Sequence, residues 1–134
     1  MKRILLVLIA VPLLFAIAMP MASAFTMSEK VVVANDLVAI ARTGAGGLTA
    51  DQRINRINER LAYILGYEPL AARDIYLRRV GNSYAIMVGQ SLLMTVTTSD
   101  ARANGTTVSG LAREWLRNAR MALPQARPTP GIPG

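Results

Sequence analysis

The sequence predicts an α+β domain of order β-β-α-β-β-β-α, with a mostly antiparallel sheet and two amphipathic helices on one face, behind a signal peptide. Three observations predict it. Two segments repeat apolar residues at helical spacing. Short β-rich runs alternate with turn residues. Residues 1–24 differ in composition from all that follows.

Met1-Lys2-Arg3 is a basic start, Ile4 to Ala18 is almost wholly apolar, and Ala22-Ser23-Ala24 follows the break at Pro20. A charged, then apolar, then small-residue order is that of a cleaved secretory leader. Cleavage sites Ala22 and Ala24 at the peptidase subsites and makes Phe25 the first mature residue. The rival reading is an uncleaved membrane anchor over residues 4–24, a stretch without charge and close to the roughly 20 residues a span needs. Pro20 favours cleavage, because it lacks an N–H and disfavours helix through it. The expected division is a leader at 1–24, an exported domain at 25–123 and a Pro-rich disordered tail at 124–134.

Two β-rich runs within Lys30–Thr43 flank Asn35-Asp36, residues that tolerate the positive φ of a tight hairpin turn. Gly44-Ala45-Gly46-Gly47 reads as a linker, without the Lys-Ser/Thr of a phosphate loop. Thr49 and Gln52 have the spacing of a capping box at the start of the first helix. Ile54, Ile57, Leu61, Ile64 and Leu65 form its apolar stripe, and Gly66 is the expected C-cap. Arg53, Arg56 and Arg60, with Asp51 and Glu59 nearby, read as a solvated mixed-charge face.

Three runs between Asp74 and Thr97, punctuated by Gly81-Asn82-Ser83 and Gly89-Gln90-Ser91, predict a meander. Its middle run carries no charge, as a central strand requires. Ser99–Ala103 predicts one helical turn stopped at Asn104-Gly105. Thr106 or Thr107 then caps the second helix, whose stripe is Val108, Leu111, Ala112, Trp115, Leu116 and Ala119 and whose expected stop is Pro124. Trp115 is expected in the core.

The chain has 134 residues, a formal net charge of +7, and neither His nor Cys. That composition removes disulfides, thiol chemistry and the commonest general base and zinc ligand. No acid pairs with another in the manner of an acid–base couple, and no serine has an activator. No cofactor, no metal site and no catalytic residue are expected. Asp100, between the last strand and a helical turn, is the candidate loop site, with capping as its simplest role. After the leader, Lys30 is the only lysine and the other cations are arginines. Arg113, Arg117 and Arg120 share a helix face and, with Arg78 and Arg79, form the candidate basic binding surface.

Three stretches carry a family resemblance. The segment Leu48-Thr49-Ala50-Asp51-Gln52-Arg53-Ile54-Asn55-Arg56-Ile57-Asn58-Glu59-Arg60-Leu61 is similar to a "sxeeRaxxIxxRI" helix. Leu92-Leu93-Met94-Thr95-Val96-Thr97-Thr98-Ser99-Asp100-Ala101 is similar to "llxVtxxDA", and Leu111-Ala112-Arg113-Glu114-Trp115 to "LAxxW". From Val31 to Ala122 this order resembles the N-terminal extracytoplasmic domain that precedes the membrane spans in some bacterial small-conductance mechanosensitive channel homologues. The resemblance implies a stand-alone relative of that domain, without the spans, the pore or any catalytic residue.

The expected function is that of an exported, non-enzymatic module binding a protein or an anionic component of the cell envelope, periplasmic or secreted. The membrane is expected to be met only through the leader if that stays uncleaved, and nucleic acid is not an expected partner. The alternative class is a small exported enzyme regulator or a peptidase-inhibitor-like domain, by analogy of fold.

Overall fold

The computed structural model describes residues 29–126, so the leader, its cleavage residues Ala22, Ala24 and Phe25, and residues 127–134 lie outside the described part. Strands β1 (Lys30–Val33) and β2 (Asp36–Ile40) form a hairpin, followed by helix α1 (Ala50–Tyr67). A 3-10 turn at Ala72–Asp74 leads into β3 (Ile75–Val80), β4 (Ser83–Val88) and β5 (Ser91–Val96). Helices α2 (Thr98–Ala103) and α3 (Val108–Ala126) complete the domain.

The α+β class and the antiparallel pairing stand, with a correction to the sheet. The strands form two sheets, β1-β2 and β3-β4-β5, instead of one of five strands. Arginines meet both outer edges of the meander where the hairpin would have had to join. Arg120 Nε donates to the Ile75 carbonyl of β3 at 2.8 Å, and Arg53 Nη2 donates to the Thr95 carbonyl of β5 at 2.6 Å. The helices join the two sheets instead: α3 packs on β2, β3 and β4, and α1 packs on β1 and β5.

The uncharged run is the central strand β4, as its composition requires. Between Ile86 and Met87 the register slips, so that Ile86 faces Met94 and Met87 faces Leu92. Leu93 is the extra residue of this bulge, and the local twist allows both Leu93 and Met94 to be fully buried. The hairpin turn falls one residue earlier than expected. Ala34 (φ 49°) and Asn35 (φ 69°) form it, and Asp36 already pairs with Val33. Two consecutive left-handed residues match the twist of the strands, which outweighs the steric cost at Ala34.

The Thr49–Gln52 capping box is formed. The C-cap at Gly66 is corrected: α1 continues to Tyr67 and ends on the extended residue Glu68, whose N–H donates to the Ile64 carbonyl. Thr107 caps α3, its hydroxyl accepting from the Gly110 N–H at 3.1 Å. The stop at Pro124 is also corrected, since α3 passes through it to Ala126. The proline lies near the helix end, and the burial of Ala122 and Leu123 holds the last turns on the core. Ile57, Ile64, Ile75, Ile86, Leu111 and Leu123 are among the fully buried side chains, and Trp115 is buried with them.

Candidate functional site

The position of Arg53 on its helix decides the chemistry of the domain's centre. Arg53, Ile57, Leu61 and Ile64 follow helical spacing, so the arginine continues the apolar stripe into the core. It is 4% exposed, and Asp100 is 0% exposed. The expected solvated role for Arg53 is therefore overturned. Its Nη1 donates to Asp100 Oδ1 at 2.6 Å and its Nη2 to Oδ2 at 2.7 Å, a bidentate pair. Nη1 also donates to the Thr43 carbonyl at 2.9 Å, while Nη2 reaches the Thr95 carbonyl.

Asp100 performs the expected capping as well. Its Oδ2 accepts from the Thr97 N–H and the Thr97 hydroxyl, both at 2.9 Å, and the Thr97 oxygen in turn accepts from the Asp100 N–H. Thr43 Oγ1 donates to Oδ1 at 2.9 Å. Burial pushes the carboxyl pKa up, but hydrogen bonding to Arg53, the Thr97 N–H, the Arg53 charge and the Thr97 hydroxyl together outweigh it. The pKa lies below the ordinary carboxylate value. The carboxylate is thus ionised, enclosed and fully committed to internal donors. It has the properties of a clasp between α1, β5 and α2, and lacks the accessible proton of a general acid or base.

The proposed basic face is divided by the structure. Arg113 folds back on Ser109, donating from Nε to its carbonyl at 3.2 Å. Arg120 is exposed but turned to the β3 edge, where its Nε donates to the Ile75 carbonyl. Arg117 is exposed. Arg78 and Arg79, as neighbours on a strand, point to opposite sheet faces, and Arg79 Nε donates to the Gly81 carbonyl at 3.2 Å.

A better-formed surface lies between α1 and β5, which the reading of α1 as a solvated face missed. A cavity of about 190 Å³ is lined by residues including Leu48, Arg56, Ile57, Arg60, Leu92 and Thr95. A wider one of about 460 Å³ adjoins it through Arg56, Arg60 and Leu92, adding Glu59, Tyr63 and Ser91. Arg56, Arg60, Tyr63 and Tyr67 recur at i, i+4, i+7 and i+11 and so share one side of α1. Tyr63 and Tyr67 stack with ring centroids 4.9 Å apart. Arg56 is exposed and pairs with Glu59 at 3.3 Å. Arg60 is half-buried, and burial followed by the Arg56 charge lowers its pKa, with Glu59 opposing. Among the described residues no hydrogen bond or ion pair holds the Arg60 guanidinium.

Among the described residues no cluster of acids could hold a metal ion, and no helix is long and apolar enough to cross a membrane. A family model described as "Domain of unknown function (DUF8459)" matches residues 30–126. No curated protein and no solved structure matches the chain.

Proposed function

We propose that this chain, which belongs to the DUF8459 family, is an exported, non-enzymatic module that binds an anionic partner at the bacterial cell envelope. The observation that carries this reading is Arg60: a half-buried cation in a groove, beside Arg56, with no acid of its own among the described residues. A desolvated guanidinium is stabilised by an incoming carboxylate or phosphate, and its planar fork suits either one. The leader pattern of residues 1–24 supports export. The resemblance to the extracytoplasmic domain of mechanosensitive channel homologues supports a place in the envelope. The use of Asp100, the one buried carboxylate among the described residues, as a clasp supports a binding role over catalysis.

The test is fractionation of the full chain expressed in a Gram-negative host. A mature protein beginning at Phe25 is expected, retained by the envelope fraction at low salt and released as salt rises. An intact Met1 in the membrane pellet would instead identify residues 4–24 as an anchor. Arg56→Gln with Arg60→Gln is expected to reduce retention of the cleaved form. Arg113→Gln, Arg117→Gln and Arg120→Gln together measure the other basic face. Retention unchanged in both variant sets, or independent of salt, would refute the anionic-partner reading.

A further inference from the structure

The groove between α1 and β5 combines charge with apolar surface, and the combination limits what fits. The smaller cavity sets Leu48, Ile57 and Leu92 against Arg56 and Arg60. The wider one shares Arg56, Arg60 and Leu92 and adds Tyr63, with Glu59 on the same rim. We infer that the groove recognises a polypeptide carboxylate carried next to an apolar side chain, the carboxylate on Arg60 and Arg56 and the apolar group between Ile57 and Leu92. This rests on the anionic-partner reading and narrows it to a protein.

Three features favour this occupant over a phosphate or a lipid headgroup. Glu59 places a negative charge 3.3 Å from Arg56, which disfavours a dianion more than a monoanion. Leu48, Ile57 and Leu92 offer apolar surface that an aliphatic side chain covers and the hydroxyls of a headgroup do not. The Tyr63 ring, 55% exposed, offers a flat apolar wall on which a peptide can lie while its hydroxyl stays wet. The pair also divides the work. Arg60 is partly desolvated before any ligand arrives, so its bond to a carboxylate is less screened than one made by the exposed Arg56.

The minimal probe is N-acetyl-leucine, which has one carboxylate beside one aliphatic side chain. Its neutral amide and inorganic phosphate are the comparison probes. Each is titrated into the isotopically labelled chain while backbone amide shifts are followed. The carboxylate is expected to move the resonances of Arg60, Tyr63, Ser91 and Leu92 saturably at millimolar concentration, and the amide is expected to leave them in place. Arg60→Gln should weaken binding about tenfold, as loss of a charge-assisted hydrogen bond implies. Arg60→Lys should recover part of that loss by restoring the charge. These side chains are not held by the core, and unchanged shifts elsewhere verify the fold of each variant. Equal binding of the amide, tighter binding of phosphate, no saturable shift, or an unaffected Arg60→Gln would each overturn the inference. Envelope retention that persists in the face of any of these results would leave the broader reading intact while removing the carboxylate.

Discussion

Asp100→Ala should cost this domain much of its stability, and the structure gives the magnitude. The substitution leaves the Arg53 guanidinium 4% exposed, with only the Thr43 and Thr95 carbonyls as partners. Breaking a buried pair by removing one member costs about 3–5 kcal/mol. Loss of the reciprocal bonds with Thr97 overlaps with that figure and adds about 1 kcal/mol at most. A domain of this size has about 5–15 kcal/mol in all. In urea, with a slope of about 1.5 kcal/mol per M, a loss of about 4 kcal/mol lowers the midpoint by about 2.7 M. The milder Asp100→Asn, which keeps an oxygen for the Thr97 N–H, serves if the alanine variant does not fold. A loss below about 1 kcal/mol for either at neutral pH would refute the clasp. The pH dependence supplies a second check. The pKa of Asp100 is depressed in the folded state, so its contribution is present above the unfolded value of about 3.9 and vanishes as pH falls through the folded value. The gap between native protein and variant should therefore close on acidification below about pH 4.

The remaining predictions concern other links in the fold. Trp115→Ala should destabilise by about 3–5 kcal/mol, read by thermal or urea unfolding, because the indole is buried between α3 and the sheets. Gly89→Ala should cost more than Gly81→Ala. Both have φ of +57°, which costs alanine about 1–2 kcal/mol, but only at Gly89 would the new methyl also meet the Glu68 carboxylate and Pro69. Ala34→Gly should raise the melting temperature slightly, by up to about 1 kcal/mol in stability, because it removes the left-handed alanine of the hairpin turn.

The strands and helices were legible wherever periodicity or turn chemistry is local. The capping box at Thr49, the uncharged central strand and the Trp115 stripe are all written in neighbouring residues. The division into two sheets was not, since it depends on which side chains meet the strand edges from far along the chain. Arg120 lies 45 residues from Ile75 and Arg53 42 from Thr95. The burial of Arg53 left a signal that charge alone obscured. Continuing the stripe of Ile57, Leu61 and Ile64 one turn earlier lands on it. Arg53 and Asp100 also fall on the first capital R of the helix motif and the capital D of the strand-and-turn motif. The groove was obscured for a similar reason. Mixed signs along α1 looked like solvation, and only the packing of β5 beside the helix distinguishes half-buried Arg60 from exposed Arg56.

The separation of the sheets has a consequence for how the native state breathes. Among the described residues the strands of the hairpin pair only with each other, and a two-stranded unit is at best marginal by itself. What holds it is its seat on α3 and α1, with the Asn118 amide donating to the Val38 carbonyl at 3.3 Å, and just past β2 Arg42 Nη1 donates to Oδ1 of Asn104 at the end of α2 at 2.8 Å. Lifting the hairpin away would break no ladder in the meander. Amide exchange should therefore resolve two cooperative units. In one, β1 and β2 open below the global free energy, at a cost set by uncovering Val31, Val33 and Val38. In the other, β4 exchanges only when the Arg53–Asp100 clasp and the core come apart together.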